Sequence, residues 1–380
     1  MPEVEVIPVR TAEEREAFLR LPWKIYRGDP YWVPPLLSEE RKHISPRHNP
    51  FFQHAEVEFF LALKGGEPVG RIEAHIDHNY NEFHDERTGQ FGFFESIPDP
   101  RVAHALLDAV VEWHRQRGME TLLGPLSFST NDIAGLLVEG FREPPVFLMA
   151  YNPPYYPDLL ESYGLQKAKD LLAYRIDLDD RFWVRSQRIL ERLEPLMQRA
   201  AEQGFTIRDI NLRDFHNEVR RIMAIYNDAW SANWGFVPLT DAEIYQIASD
   251  LKRVVIPDLA KIVEHRGTPV AFAVVLPDLN QAIKPMNGRW FPFGLFKFLW
   301  YRRKIQGVRV FTLGIRRGYR KRGVDSMLYY HLVKTGQRYR NRYRWVEVSW
   351  LLEDNYLILR ATEFMGGYLY KRYRVYRMNL

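Results

Sequence analysis

The chain has 380 residues, 46% apolar and 14% aromatic, which is too long for one typical domain and too apolar for a disordered segment. It has no cysteine, which excludes disulfides, a thiolate nucleophile and cysteine-ligated metal, and suits a cytoplasmic protein. The net charge of +5 conceals an asymmetry, because residues 301–380 carry 19 Lys and Arg against 5 Asp and Glu. So basic a region suits a phosphate-rich ligand, an acidic carrier protein, an anionic membrane surface or nucleic acid.

The opening residues, Met1-Pro2-Glu3-Val4-Glu5, lack the cationic and then apolar profile of a signal peptide. No apolar run approaches the ~20 residues that span a bilayer. Residues 57–63 and 69–77 alternate as the two strands of a hairpin, and 89–97 read as a third strand. An amphipathic helix is predicted over 100–118, with Ala103, Leu106, Leu107, Val110 and Val111 at helical spacing and Gly118 at its stop. A strand over 120–126 follows. Residues 179–204 have Ile189, Leu190, Leu193, Leu196 and Met197 at helical spacing and read as a connecting helix.

The halves on either side of that helix look like copies. Trp32-Val33-Pro34 followed by Glu39 echoes Trp234 to Pro238 followed by Glu243, an offset of 204 from Val33 to Val237. Gly66-Glu67-Pro68-Val69 echoes Gly267-Thr268-Pro269-Val270 at 201, and Tyr174-Arg175-Ile176 echoes Tyr376-Arg377-Met378 at 202. Offsets this steady predict a tandem duplication, with domains at 1–178 and 205–380 joined by 179–204.

In the second copy, 226–240 packs Trp230, Asn233 and Trp234 between helical segments. Residues 287–304 crowd Trp290, Phe291, Phe293 and further aromatics between Arg289 and Arg302-Arg303-Lys304. Such a stretch either folds onto the core or rests in a lipid headgroup layer. Next, 309–315 alternates as a strand, Arg316 to Arg322 form a basic loop, and Gly323 opens a segment whose Val324, Met327 and Leu328 have helical spacing. Strand, basic glycine loop and helix start together make an anion site, since the first N–H groups of a helix lack partners and its dipole favours negative charge. Trp345 to Trp350 alternate as another strand, and a helical run from Asn355 ends at Gly366.

Arg320-x-x-Gly323 matches the first part of the Arg/Gln-x-x-Gly-x-Gly/Ala signature of the GNAT acyltransferase superfamily, which this chain resembles. The resemblance implies an α/β (α+β) protein of tandem GNAT-like folds, each a mixed, mostly antiparallel sheet flanked by helices. It implies acyl-CoA as co-substrate and no metal. Tyr319, Arg320, Lys321, Arg322, Gly323, Val324, Asp325 and Ser326 would hold the pyrophosphate of coenzyme A. Leu313, Gly314 and Ile315 would pair with its pantetheine arm, and Asn355 belongs to the family's second signature. Three positions depart from the pattern: Asp325 stands where Gly or Ala is usual, Thr362 where the family has tyrosine, and Gly367 where it has Phe. Longer stretches, among them FFQHAEVEFFLA, VGRIEAHIDHNYNEFH, GFFE, LLGPLSFSTND, YNPPYY and NGRWFPFG, resemble the bacterial ceramide synthase-like (YghO-like) branch. That branch implies transfer of a fatty acyl group to the amine of a long-chain base.

In the first copy, Ile97-Pro98-Asp99-Pro100 stands where the second has its glycine loop. An acidic, proline-stiffened approach is a poor phosphate cradle, so the first copy is expected to have lost the coenzyme and to shape the acceptor pocket. Trp230, Asn233, Trp234, Trp290, Phe291 and Phe293 are the candidate substrate-lining residues. Glu347 is a candidate general base, or else an exposed strand residue. His75 is the other candidate, with Asp77 and His78 beside it but no further clustered metal ligands.

Two other readings stand beside lipid N-acylation. One is an acetyltransferase acting on a small polar amine or a protein lysine. The other is a non-enzymatic adaptor for a membrane or nucleic acid, although the alternating Arg and Tyr of 338–344 come with no nucleic-acid-binding signature. The expected partners are acyl-CoA or an acyl carrier protein and an amine acceptor. The expected location is the cytoplasm, with peripheral contact at the inner face of the membrane.

Overall fold

The structure is a computed structural model that describes residues 3–380. Its elements run β1 (Val4–Pro8), α1 (Ala12–Ile25), α2 (Leu37–His43), β2 (Ala55–Lys64), β3 (Glu67–Asp77), α3 (His78–His84), β4 (Thr88–Ser96), α4 (Pro100–Arg115), β5 (Thr121–Gly124), β6 (Leu126–Ser127), β7 (Ile133–Ala134), β8 (Leu136–Glu139), α5 (Tyr156–Tyr163) and β9 (Gln166–Asp177). They continue with α6 (Asp180–Glu202), β10 (Phe205–Asp209), α7 (Phe215–Trp230), α8 (Asp241–Lys252), β11 (Ala260–His265), β12 (Thr268–Pro277), α9 (Asn280–Ile283), α10 (Gly294–Arg302), β13 (Gly307–Ile315), α11 (Val324–Gly336), β14 (Trp345–Leu352), α12 (Tyr356–Phe364) and β15 (Tyr368–Asn379).

The chain forms two compact units, Met1–Leu172 with Asn280–Tyr301 and Tyr370–Leu380, and Ala173–Leu279 with Arg302–Leu369. These units are interleaved, whereas the repeat in the sequence suggests contiguous halves. Strand β9 begins in the first unit and ends in the second, and β15 does the reverse.

The first unit is built on a sheet of order β1-β2-β3-β4-β5-β15, antiparallel except for the parallel pair β4–β5. Every residue of β3 from Val69 to Asp77 is buried, because both faces are covered. Helix α4 covers one face with its stripe of Val102, Leu106 and Val110, packed among Ile72, Ala74 and Ile76. It starts as its sequence dictates, with Pro100 in the first turn and the Asp99 carboxylate accepting the N–H of Arg101. The other face lies in a second cluster with Phe18, Leu37, Phe51, Leu61 and Phe128.

The second unit repeats the plan with order β14-β13-β12-β11-β10 and the parallel pair β13–β14. Val324, Met327 and Leu328 of α11 pack among Val263, Ala271 and Ala273. The repeat extends to irregularities. Each hairpin carries a register shift, between Ala62 and Leu63 and between Val263 and Glu264. Each strand leading to the parallel pair carries another, between Arg71 and Glu73 and between Val274 and Val275.

In the first unit the space beside the second shift is filled. A Cβ at Gly92 on β4 would lie 2.0 Å from the Leu126 carbonyl oxygen, which is backbone and has little freedom to yield. Gly92→Ala is therefore expected to destabilise the protein by about 1–3 kcal/mol, read as a fall in Tm, whereas the same change at exposed Gly318, where a Cβ meets nothing within 4 Å, should be silent.

Candidate active site

Strand β13 follows β12 along nearly its whole length but pairs with β14 only from Gly307 to Val310. Val310 faces Val275 and Thr312 faces Val274, so Phe311 is an extra residue. A bulge of this kind bends its strand and ends pairing on the far side. From Phe311 to Ile315, among the described residues, no strand joins β13 on the β14 side. Arg316 donates its N–H to Val270 O on β12. Strand alternation therefore turns the backbone N–H and C=O of Leu313 and Ile315 into the opening. Gly314 turns toward β12 and is covered by Trp230, whose ring would lie 2.3 Å from a Cβ there. Trp230 itself stacks on Tyr226 at 4.6 Å. Asn233 and Trp234 follow in the half-buried turn after α7, where the Asn233 N–H meets Trp230 O.

The end of α7 also holds the basic loop. Asp228 Oδ2 accepts the Arg317 N–H at 2.7 Å, Ser231 Oγ accepts from Arg317 Nη2 at 2.5 Å, and Ala229 O accepts from Arg320 Nη2 at 2.5 Å. Cations at a helix C-terminus are electrostatically favoured. Tyr319 turns inward beside Phe205, its hydroxyl 3.2 Å from His265 Nδ1, with Arg322 over its ring. Lys321 and Gly323 then take left-handed conformations, φ 61° and 76°, which swing the chain into α11.

Gly323 caps α11 without a side chain, and a Cβ on it would meet nothing within 4 Å. Among the described residues, the N–H groups of 321–326 meet no acceptor. Val324 is buried, Ser326 half-buried, and Lys321, Arg322 and Asp325 are exposed. Asp325 does not cap the helix. Open space, unpaired N–H groups, the helix dipole and two exposed cations fit a diphosphate.

Glu347 is fully buried, not an exposed strand residue. Alternation puts Glu347 and Ser349 on one face, where Ser349 Oγ donates to Glu347 and accepts from Arg309 Nε at 2.9 Å. Val346 and Val348 on the other face pack with Trp183 and Tyr330. Asn355 is the N-cap residue of α12 but leaves its side chain out of the cap. Thr362 is buried and donates its hydroxyl to Ile358 O at 2.8 Å.

In the first unit, His75 is fully buried on β3 with Nδ1 2.9 Å from Glu73, whose carboxyl burial pushes up; among the described residues His75 Nε2 has no hydrogen-bond partner. Asp77 holds His54 at 3.0 Å and caps α3, while His78 lies exposed near Glu56. Among the described residues no three such side chains converge to hold a metal. The same unit joins two residues that no spacing links, His43 and Asp132, 2.5 Å apart.

Trp290, Phe291 and Phe293 lead into α10, which does not fold onto the core. The segment is anchored at its base, where Gly288 abuts the Trp23 ring, Trp23 Nε1 donates to Asn287 at 3.0 Å, and Gly288 O accepts the Leu37 N–H. Beyond that base, Phe291, Phe296 and Trp300 are 86%, 70% and 61% exposed. Lys297, Arg302, Arg303 and Lys304 accompany them, also exposed. Among the described residues no helix is long and apolar enough to cross a membrane.

No family profile matches the chain. It is 37% identical over 387 residues to a bacterial ceramide synthase of Caulobacter vibrioides, covering all of this chain and 98% of that protein. It is 36% identical over 373 residues to protein YghO of Escherichia coli, covering 96% and 93%. Among solved structures, a tandem GNAT protein from the clavulanic acid biosynthesis pathway superposes with a TM-score of 0.58 at 12% identity, over 99% of this chain and 98% of that one. A GCN5-related N-acetyltransferase from Sphaerobacter thermophilus gives 0.52 at 14% identity, over 99% and 95%. At such identities the structural likeness is one of fold.

Because the Thr362 hydroxyl is committed to a helix carbonyl, Thr362→Val should leave turnover within about threefold and cost no more than about 1.5 kcal/mol, the net worth of an ordinary hydrogen bond. A hundredfold fall in kcat with the fold intact would make Thr362 the acid that the family's tyrosine supplies.

Proposed function

Since the chain belongs to the bacterial ceramide synthase-like branch of the GNAT N-acyltransferases, we propose that it moves a long-chain acyl group from acyl-CoA, or from an acyl carrier protein, to the primary amine of a long-chain base. The product is an amide-linked lipid. The observation that carries the donor half of this reading is the row of unpaired N–H groups at 321–326, open to an anion and flanked by Lys321 and Arg322. These groups would hold the diphosphate. The backbone of Leu313 and Ile315 would pair with the amides of the pantetheine arm, and Trp230 and Trp234 would line the acceptor side.

The lipid half rests on α10 and its approach. Fully burying a Phe or Leu side chain is worth roughly 1.5–3 kcal/mol, and each Lys or Arg near an anionic leaflet adds about 1 kcal/mol. A helix with exposed Phe291, Phe296 and Trp300 beside Lys297 and Arg302 therefore suits the headgroup layer at the inner face of a membrane, where a long-chain base resides. The protein is accordingly a cytoplasmic enzyme that works on the membrane surface.

Gly323→Glu should abolish acyl-CoA binding, measured by calorimetry, with the circular dichroism spectrum unchanged; normal affinity in that variant would remove the donor site from 321–326. Palmitoyl-CoA should outcompete acetyl-CoA, and mass spectrometry of cells fed long-chain bases should find new amide lipids only where the intact gene is present. Preference for acetyl-CoA would instead favour a small polar amine or a lysine as acceptor. Replacing Phe291, Phe296 and Trp300 together by Ser should abolish co-sedimentation with phosphatidylglycerol vesicles while sparing acyl-CoA affinity.

A further inference from the structure

We propose that one face of α6 docks an acidic acyl carrier protein, so that the second unit takes its acyl group from a carrier-borne thioester as well as from coenzyme A. This rests on the N-acyltransferase reading above and names the protein that would bring the pantetheine arm to the donor site. Every element it uses, α6, α11, α12 and β13, lies in the second unit.

Arg181, Arg185, Arg188, Arg192 and Arg199 recur along α6 at helical intervals. At 3.6 residues per turn they fall within about 60° of one another, as one stripe. All five are exposed, and among the described residues none is held in an ion pair. Glu191 and Glu194 fall outside the stripe, where Gln187 Nε2 and the Tyr330 hydroxyl donate to them. The cations are therefore left without carboxylates of their own.

The stripe borders a groove of about 650 Å³, lined also by Val184, Ile189 and Phe364. Phe364 ends α12 and is 67% exposed; Leu357, two turns earlier on the same face, is 77% exposed. A Cβ at Gly366 would lie 2.5 Å from Arg185 Nη1, so that guanidinium sits at the C-terminal end of α12, where a cation is favoured. The carboxylate in the lining, Asp180, accepts from Arg340 at 2.9 Å. The surface is thus apolar on its α12 side and positive on its α6 side.

Helix α6 runs antiparallel to α11. Asp180 meets Arg340, Gln187 meets Gln337 and Glu194 meets Tyr330, while Met197 and Ala200 pack among Val324 and Met327 of the first turn of α11. Arg199 is consequently the arginine of the stripe nearest the donor loop, and Arg181 is the farthest, about 27 Å along the helix at 1.5 Å per residue. One diphosphate at 321–326 cannot use cations spread over that length. A helix with carboxylates along one side can, because each guanidinium offers a fork of donors that matches a carboxylate. A groove receives such a rod, whereas a bilayer is flat, and apolar residues beside the carboxylates would cover Phe364 and Leu357. An acyl carrier protein has this chemistry: it is acidic and helical, and its pantetheine arm is the one that Leu313 and Ile315 would pair with. Lying along α6, it would bring the phosphate that bears its arm to the N-terminus of α11.

The test compares two donors on the full chain, palmitoyl-CoA and a bacterial acyl carrier protein loaded with palmitoyl-pantetheine, with a long-chain base in mixed micelles. Replacing Arg185, Arg188 and Arg192 together by Glu should raise KM for the carrier at least ~30-fold. It should leave kcat/KM for palmitoyl-CoA within threefold and Tm unchanged. Phe364→Ser should raise KM for the carrier alone, by about tenfold. Carrier affinity, read by fluorescence anisotropy, should fall in parallel in both variants. Equal loss with both donors, or no loss with the carrier, would overturn the proposal. So would a wild-type enzyme that uses palmitoyl-CoA but neither binds nor deacylates the carrier. Loss of co-sedimentation with phosphatidylglycerol vesicles, with carrier affinity kept, would overturn it too and give this face to a membrane. Failure of the N-acyltransferase reading would appear separately, as no amide product from either donor, with carrier affinity still reporting on the stripe.

Discussion

The open edge of β13 in the second unit depends on one surplus residue. Were β13 paired with β14 through Ile315, the N–H and C=O groups of Leu313 and Ile315 would be consumed in the ladder, since buried backbone groups are almost always paired. Phe311 ends that ladder after four residue pairs. The far side of β13 stays rigid because it remains paired with β12 and because Trp230 lies directly on Gly314. The strand is thus held on one edge and free on the other. The same α7 end that supplies Trp230 also ties down Arg317 and Arg320, so strand edge and loop are fixed by a single support.

The first unit has the same bulge and the opposite outcome. Residues on the turn after β5 occupy the space beside Gly92, and the helix that follows is capped by Asp99. The Arg101 guanidinium, with Lys64 beside it, holds the Asp99 carboxyl well below the usual carboxylate range. The α4 N-terminus therefore already carries its anion, covalently supplied. At the corresponding place α11 has Gly323, which brings neither charge nor Cβ. The same plan thus leaves one helix N-terminus capped by a carboxylate and the other open, and only the open one suits a phosphate.

This contrast was legible in the sequence, because Ile97-Pro98-Asp99-Pro100 and Arg320 to Gly323 differ in kind. The hairpins and the tandem GNAT-like folds were legible too, through period-two alternation around Gly65-Gly66 and Arg266-Gly267, which turn with positive φ. The exchange of β9 and β15 was not, since alternation says which faces a strand has but not which sheet it joins. For the same reason the pattern around Glu347 divided its neighbours correctly and left its burial open. The aromatic run at 294–302 is apolar on all sides, so no periodicity separated a helix from a strand or an inward from an outward face. His43 and Asp132 are 89 residues apart, and nothing local joins them.

The buried polar groups of the first unit are matched only in part. Glu95 accepts from Tyr156 at 2.7 Å and lies 3.5 Å from Arg71, which itself donates to Phe18 O. Each residue of that network has a partner, although among the described residues the buried Arg71 Nε itself meets none. On β3, among the described residues, His75 Nε2 and Asp77 Oδ2 are likewise buried without partners, and Phe93 and Phe128 carry left-handed backbone. A buried polar atom left unmatched costs about 1–3 kcal/mol, and a residue held in a sparsely populated backbone region adds about as much again. Packing alone would remove these costs with apolar residues and a glycine or two.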